Sequence, residues 1–158
     1  MKRAFSLPVV LMLSLVLLLL GLGFLNKRVS QYKGAYQTTY SVMALQLARA
    51  GLEDARIKLE KDLDFPPQAG LDQKAFSYTE ILLPGEESYT VTVDLSLREA
   101  PFKVLRITSI GTSGPMTGPR ARRKLTAEFD ISPTLRSDPT SANPDFYQMV
   151  NWQDLGSL

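Results

Sequence analysis

Cysteine and histidine are both absent from the 158 residues of this chain. Without cysteine it can build no disulfide framework, zinc thiolate site or thiol nucleophile. Without imidazole the common hydrolase triads and most transition-metal sites are excluded too. Only carboxylate or lysine chemistry is left to an enzyme, so the chain reads as a non-enzyme, with no catalytic residue, no metal and no cofactor. A strong charge imbalance is also lacking. The net charge is +2, and part of that excess sits beside an apolar segment, where basic residues are ordinary membrane anchors. Nucleic-acid binding has no support. Proline is missing from the whole stretch between Pro8 and Pro66, which removes the usual helix breaker from nearly sixty residues.

What is present is concentrated at the N-terminus. Lys2, Arg3 and Ala4 precede a run of 21 residues, Phe5 to Leu25, that carries no charge. A bilayer core of about 30 Å needs about 20 helical residues to cross it. The run is therefore read as a transmembrane helix. A cleaved secretory signal is the competing reading, but its apolar core is usually about 7–15 residues and ends at a small-residue cleavage site, whereas Asn26, Lys27 and Arg28 follow here. Lys2 and Arg3 on one side and Lys27, Arg28 and Lys33 on the other leave the positive-inside rule undecided. The N-terminus is placed in the cytoplasm because the remainder of the chain looks exported.

Beyond the membrane the apolar residues change period. Val29, Tyr32, Tyr36 and Tyr40 are spaced as one helix face, and a second stripe runs through Leu45, Ala48, Leu52, Ala55, Leu59 and Leu63. Arg49, Glu53, Arg56, Lys58 and Glu60 lie largely elsewhere on the helix. Pro66 sets a stop near Asp64 or Phe65, so a single helix is expected from Phe5 to residue 65, with 26–65 as its amphipathic extension. Gly21, Gly23, Gly34 and Gly51 are its candidate soft points, since a mid-helix glycine costs about 1 kcal/mol relative to alanine.

After Pro66 the period becomes two. Tyr89, Val91, Val93, Leu95 and Leu97 alternate with polar residues, and so do Arg123, Leu125, Ala127, Phe129 and Ile131. Each series predicts a strand with one buried face. Phe102 to Ile110 gives a third strand and Phe76 to Leu83 a weaker fourth, joined to the Tyr89 strand by a turn over Pro84, Gly85, Glu86 and Glu87. The expected fold is α+β, a long N-terminal helix packed on a small antiparallel sheet over residues 66–131. Gly111 to Arg120, with three glycines and two prolines, is expected to be a mobile loop. Residues 132–158 form a polar tail that ends in Phe146, Tyr147, Met149, Val150 and Trp152. These side chains either dock back on the sheet or meet a partner.

The basic leader ending in a small residue and followed by an apolar helix opening at Phe5 resembles the signal of type IV pilins and pseudopilins. The stretch Ala44 to Leu59, ALQLARAGLEDARIKL, is similar to a pattern in some minor pilins and in the K-type minor pseudopilin of type II secretion. So is the run from Ile107 through Gly111, Thr112, Ser113 and Gly114 to Arg122 and Arg123. The resemblance covers the whole chain in layout and implies a pilin-like fold. It also implies a leader of residues 1–4, removed by prepilin peptidase between Ala4 and Phe5, with N-methylation of Phe5. Alanine at the cut departs from the usual glycine. Residues 5–25 would then be the transmembrane and filament-core helix. The implied partners are other minor and major pilins, the peptidase, an inner-membrane assembly platform and the membrane. The implied location is the inner membrane, single-pass with the head in the periplasm, and afterwards the pilus, at its tip.

A second departure bears on mechanism. Major pilins carry a glutamate four residues after the mature N-terminal residue, and that position here is Val9. The family's carboxylate is thought to pair with a neighbouring subunit's terminal ammonium, and a buried ammonium without a partner is costly. Val9 fits a tip or initiating position, where no second amine needs neutralising. Pro8 is compatible with the first turn of a helix. Asp54, Asp62 and Asp64, or Glu86 and Glu87, lack the spacing of a calcium loop. Arg120, Arg122, Arg123 and Lys124 read as alternating strand residues rather than as a site.

Overall fold

The structure is a computed structural model and describes residues 6–62, 65, 74–83 and 85–157. One helix, α1 (Ser6–Lys61), is followed by five strands: β1 (Ala75–Leu83), β2 (Glu87–Asp94), β3 (Val104–Ser113), β4 (Ala121–Asp130) and β5 (Met149–Ser157). The strands form one antiparallel meander in the order β1-β2-β3-β4-β5. The chain divides into two compact units, residues 1–38 and 39–158.

The first unit is the N-terminal part of α1. It is long and apolar enough to cross a membrane, and its large side chains from Leu7 to Leu25 are exposed around the whole helix. No polar residue interrupts this stretch except Ser14, whose hydroxyl is turned back onto the Leu11 carbonyl at 2.9 Å.

The second unit is a helix on a sheet, and its core is two-sided. Ala44, Leu47, Ala48, Leu52, Ala55 and Leu59 are buried on the helix, spaced three and four apart as one face requires. Ala48, Leu52, Ala55 and Leu59 cluster with Val91, Val93, Leu105, Ile107, Leu125, Ala127 and Phe129, inward residues of β2, β3 and β4. Burying a side chain such as Leu59 or Phe129 contributes about 1.5–3 kcal/mol. The buried stripe begins at Ala44, one residue before the expected Leu45, which is half-buried at its flank. Leu63 and Asp64 lie outside the described residues.

Small residues set the distance between the layers. A Cβ placed on Gly51 would meet Ser109 Oγ, with Tyr89 Cδ2 at 2.9 Å, and one placed on Gly111 would meet the Ala44 carbonyl oxygen and the Ala48 amide nitrogen. Gly51 is therefore a packing position and not the soft point its helical setting suggested. Gly111 likewise belongs to β3, so the loop expected from Gly111 to Arg120 shortens to residues 114–120. Gly114 opens it at φ +99°, a conformation that suits glycine. Arg120 N closes it on Ser113 O at 2.9 Å, and Met116 N binds Gly85 O of the β1–β2 turn at 3.1 Å.

Two further boundaries move. Leu95 and Leu97 fall in the β2–β3 connection, and Phe102 is exposed before β3 begins. The region 132–158 is not a tail alone, because Met149–Ser157 extends the sheet past residue 131 as β5, paired along β4 from Phe129↔Met149 to Arg123↔Ser157. The pairing answers the question left open by the C-terminal aromatic cluster in an unexpected way. The backbone docks, Tyr147 and Met149 pack against the core, and Val150 and Trp152 stay more than half exposed.

Candidate functional site

The residues singled out by the leader, Lys2, Arg3, Ala4 and Phe5, lie outside the described residues. Val9 is described. It sits in the first turns of α1, 53% exposed, and no acidic residue occupies the first turn of that helix. Leu7, Val10, Leu11 and Ser14 form a separate stripe on another face of the same turns, and like Val9 the large side chains there are exposed. What this surface can do is bind other apolar matter, either lipid or a similar helix.

In the head, the functional candidates are polar clusters and clefts. Lys58 Nζ lies 2.7 Å from Asp54 Oδ2 and 3.2 Å from Glu80 Oε1. The same ammonium stands 4.0 Å over the Tyr78 ring, and Tyr78 Oη donates to Asp54 Oδ2 at 2.8 Å. Burial alone would raise the Asp54 pKa, but the hydrogen bonds from Lys58 and Tyr78 outweigh it and hold the carboxyl below its ordinary range. Burial would lower that of Lys58, and its bonds to Asp54 and Glu80 raise it instead. For Tyr78, burial and the Asp54 carboxylate both push the phenol upward. All three groups are locked in their usual charge states. The cluster clamps the helix to β1. Glu53 is separately paired with Arg56 at 2.8 Å.

The basic run divides along the strand as alternation requires. Arg120, before β4, donates to Tyr40 Oη at 2.8 Å and stacks over its ring at 4.7 Å. Arg122 faces outward, while Arg123 pairs with Asp154 and so ties β4 to β5. Asp94 and Asp130 cap the turns after their strands by accepting from Ser96 N and Ser132 N at 2.9 and 2.8 Å. Among the described residues no three acidic side chains gather as metal ligands.

No protein-family model, curated protein or solved structure matches the chain.

Sequence reasoning gives Trp152 either a place on the sheet or a partner contact, but not the two hollows that it borders. Leu52, Leu125, Met149 and Trp152 wall an apolar cleft of about 330 Å³ beside β5, with Arg49 and Glu53 at its rim. On the other face, Arg106, Thr126, Glu128, Asn151, Trp152 and Gln153 line a smaller polar hollow of about 200 Å³. Arg106 is held there by Glu128 at 2.9 Å. Trp152 borders both hollows at the open edge of the sheet. The signal for it in the sequence is the C-terminal cluster of Phe146, Tyr147, Met149, Val150 and Trp152.

Proposed function

We propose that this chain is a pilin-like subunit: membrane-stored, processed by prepilin peptidase, and active by packing its N-terminal helix against other such helices to prime or cap a type IV pilus. It is an assembly part and not a catalyst. One observation carries the reading. A 56-residue helix is apolar and exposed around its N-terminal portion, while its C-terminal portion is fixed on a five-stranded antiparallel sheet. A lipid bilayer satisfies the exposed part, since a helix closes its own backbone hydrogen bonds and offers only side chains to lipid. If the helix leaves the membrane, about 25 cal/mol per Å² of apolar surface favours covering it again. Other apolar helices of the same design are the natural cover.

The absence of an acidic group at Val9 supports a tip or initiating position, because the subunit brings no carboxylate to neutralise a neighbour's ammonium. The leader Lys2, Arg3, Ala4 and Phe5 supports cleavage before Phe5 and methylation of its new amine. The minor pseudopilus of type II secretion uses the same subunit design and is the nearest variant of this reading. A second reading is a signal-anchored exported domain that binds a ligand or scaffolds an envelope complex, and the apolar cleft at Trp152 favours it.

Intact-mass and N-terminal peptide mass spectrometry on protein extracted from its native membrane, with and without active prepilin peptidase, separates these readings. A chain beginning at N-methylated Phe5 is expected. A chain retaining Met1 supports the anchored domain, and one beginning beyond Leu25 removes both.

A further inference from the structure

Both edges of the sheet are open among the described residues, and they match. β1 and β5 are each nine residues long. Among the described residues neither carries a further strand on its outer side, although Gly156 N near the end of β5 is taken by Asp154 Oδ1 at 2.9 Å, and such an edge is a template for another strand. Each also exposes apolar side chains, Ile81, Leu82 and Leu83 on β1 and Val150, Trp152 and Leu155 on β5. The inward carboxylates that would discourage pairing are already neutralised, Glu80 by Lys58 and Asp154 by Arg123.

We propose that β5 of one copy of this chain pairs with β1 of a second copy, joining two heads into one continuous sheet. Polarity selects this partner. In a five-stranded antiparallel meander β1 and β5 run in the same direction, so two heads of the same orientation join through a parallel β5–β1 pair. A two-fold β5–β5 pair within the sheet plane would reverse one head. The points where the two chains join their heads, near Thr39, would then fall at opposite ends of strands about 30 Å long. Two chains anchored in one bilayer must present those points on the same side.

The rows across the sheet say which residues meet. One row runs Phe76, Val93, Ile107, Ala127, Trp152, and the next inward row runs Tyr78, Val91, Ser109, Leu125, Asp154. Continuing them places Phe76 of the second copy beside Trp152, and Tyr78 of the second copy beside Asp154. The charges are complementary. Lys58 of the second copy, which covers its Tyr78, comes to Asp154, and the neighbouring Glu80 comes to Arg49. Arg49 makes no hydrogen bond or ion pair among the described residues and acts on Asp154 only through its field. Its exposed guanidinium stands at the rim of the cleft. The pairing requires a shared membrane but not a filament, so a purified chain that keeps Met1 would leave it intact.

A chain without cysteine makes the test direct. The outward row between those two runs Ser77, Thr92, Thr108, Thr126, Gln153, so Ser77 and Gln153 of adjacent copies face each other at disulfide range. Full-length Ser77→Cys and Gln153→Cys chains carrying different tags are reconstituted together in phosphatidylethanolamine and phosphatidylglycerol vesicles and oxidised. The expected result is mixed 77–153 dimers at least tenfold above those of a Thr108→Cys control in the middle of the sheet, with 77–77 and 153–153 dimers at control level. Mixed dimers at control level, or a dominant 153–153 product, overturn the proposal. Hydrogen exchange on the unmodified chain guards against damage by the substitutions. Amides of β1 and β5 should slow several-fold as protein density in the vesicles rises tenfold, and unchanged rates at both edges also overturn it.

Discussion

Gly111 in β3 lies directly under the helix backbone at Ala44, so closely that a methyl group at residue 111 would meet the Ala44 carbonyl oxygen and the Ala48 amide nitrogen. Backbone cannot swing aside as a long side chain can. Gly111→Ala must therefore separate the helix from the sheet or bend one of them, at a cost in the upper part of the 1–3 kcal/mol usual for overpacking, or beyond it. Gly118→Ala, where nothing lies within 4 Å, should leave stability within about 0.5 kcal/mol. Urea unfolding of the two variants side by side checks this. Equal midpoints would show that the layers are not in contact at Gly111.

The Asp54, Lys58 and Tyr78 cluster predicts a pH dependence with a definite sign. The Asp54 pKa is lowered in the fold, so its contribution is present above the ordinary carboxyl range, near pH 4, and is lost as pH falls through the folded value. Lys58 is raised, so its contribution is complete below its ordinary pKa and fades only as pH climbs past the folded one. Both side chains are less than one third exposed, at 27% and 29%. Asp54→Asn should cost about 1 kcal/mol at pH 7, and that difference should shrink toward zero as pH falls below the ordinary carboxyl range and through the lowered folded value. A difference that stays constant down to pH 2 would remove the charge from the explanation.

The pilin reading makes its own demand on the N-terminus. Ala4→Glu or Phe5→Asp should leave the precursor uncut, seen as an unshifted intact mass, and normal maturation of both would contradict the processing scheme. Val9→Glu adds the carboxylate that major pilins carry. If the missing charge confines this subunit to a tip or initiating position, the variant should appear along filaments by immunogold labelling. An unchanged position and unchanged assembly would break the link between Val9 and location.

Much of this architecture is legible in one dimension, and the failures share a cause. The alternations at Tyr89–Val93 and Arg123–Phe129 report buried faces, and the three-four spacing from Ala48 to Leu59 reports a helix face, because burial selects side chains by direction. Glycine carries no such directional mark. Gly51 reads as a weak point of a helix and Gly111 as the start of a loop, although both are closest-approach positions. β5 was hidden because an edge strand buries little, so MVNWQDLGS shows no clean alternation. Its place depends on a backbone ladder and on Arg123 reaching Asp154 across 31 residues of sequence. The Trp152 cleft was unreadable for the same reason, since it exists only once β5 is seated beside α1.

Tyr147 supplies the last test, because it joins the C-terminal region to the end of the helix. The final turn of a helix leaves its carbonyls without partners. Asp62 N returns to Lys58 O at 3.0 Å, and the next carbonyl, Leu59 O, accepts from Tyr147 Oη at 3.0 Å. The backbone holds this tyrosine at φ +61°, a left-handed conformation uncommon for a bulky residue. Tyr147 N is fixed on Asp130 O at 2.8 Å, and its ring meets Phe146 edge-on at 4.7 Å. Tyr147→Phe keeps the ring and removes only the donor, so the loss should be about 1 kcal/mol. Tyr147→Gly relieves the backbone but discards both the ring and the donor, so it should cost more than Tyr147→Phe. If Tyr147→Gly were instead the more stable variant, backbone strain would outweigh the helix cap, and the connection before β5 would be held by its turns alone.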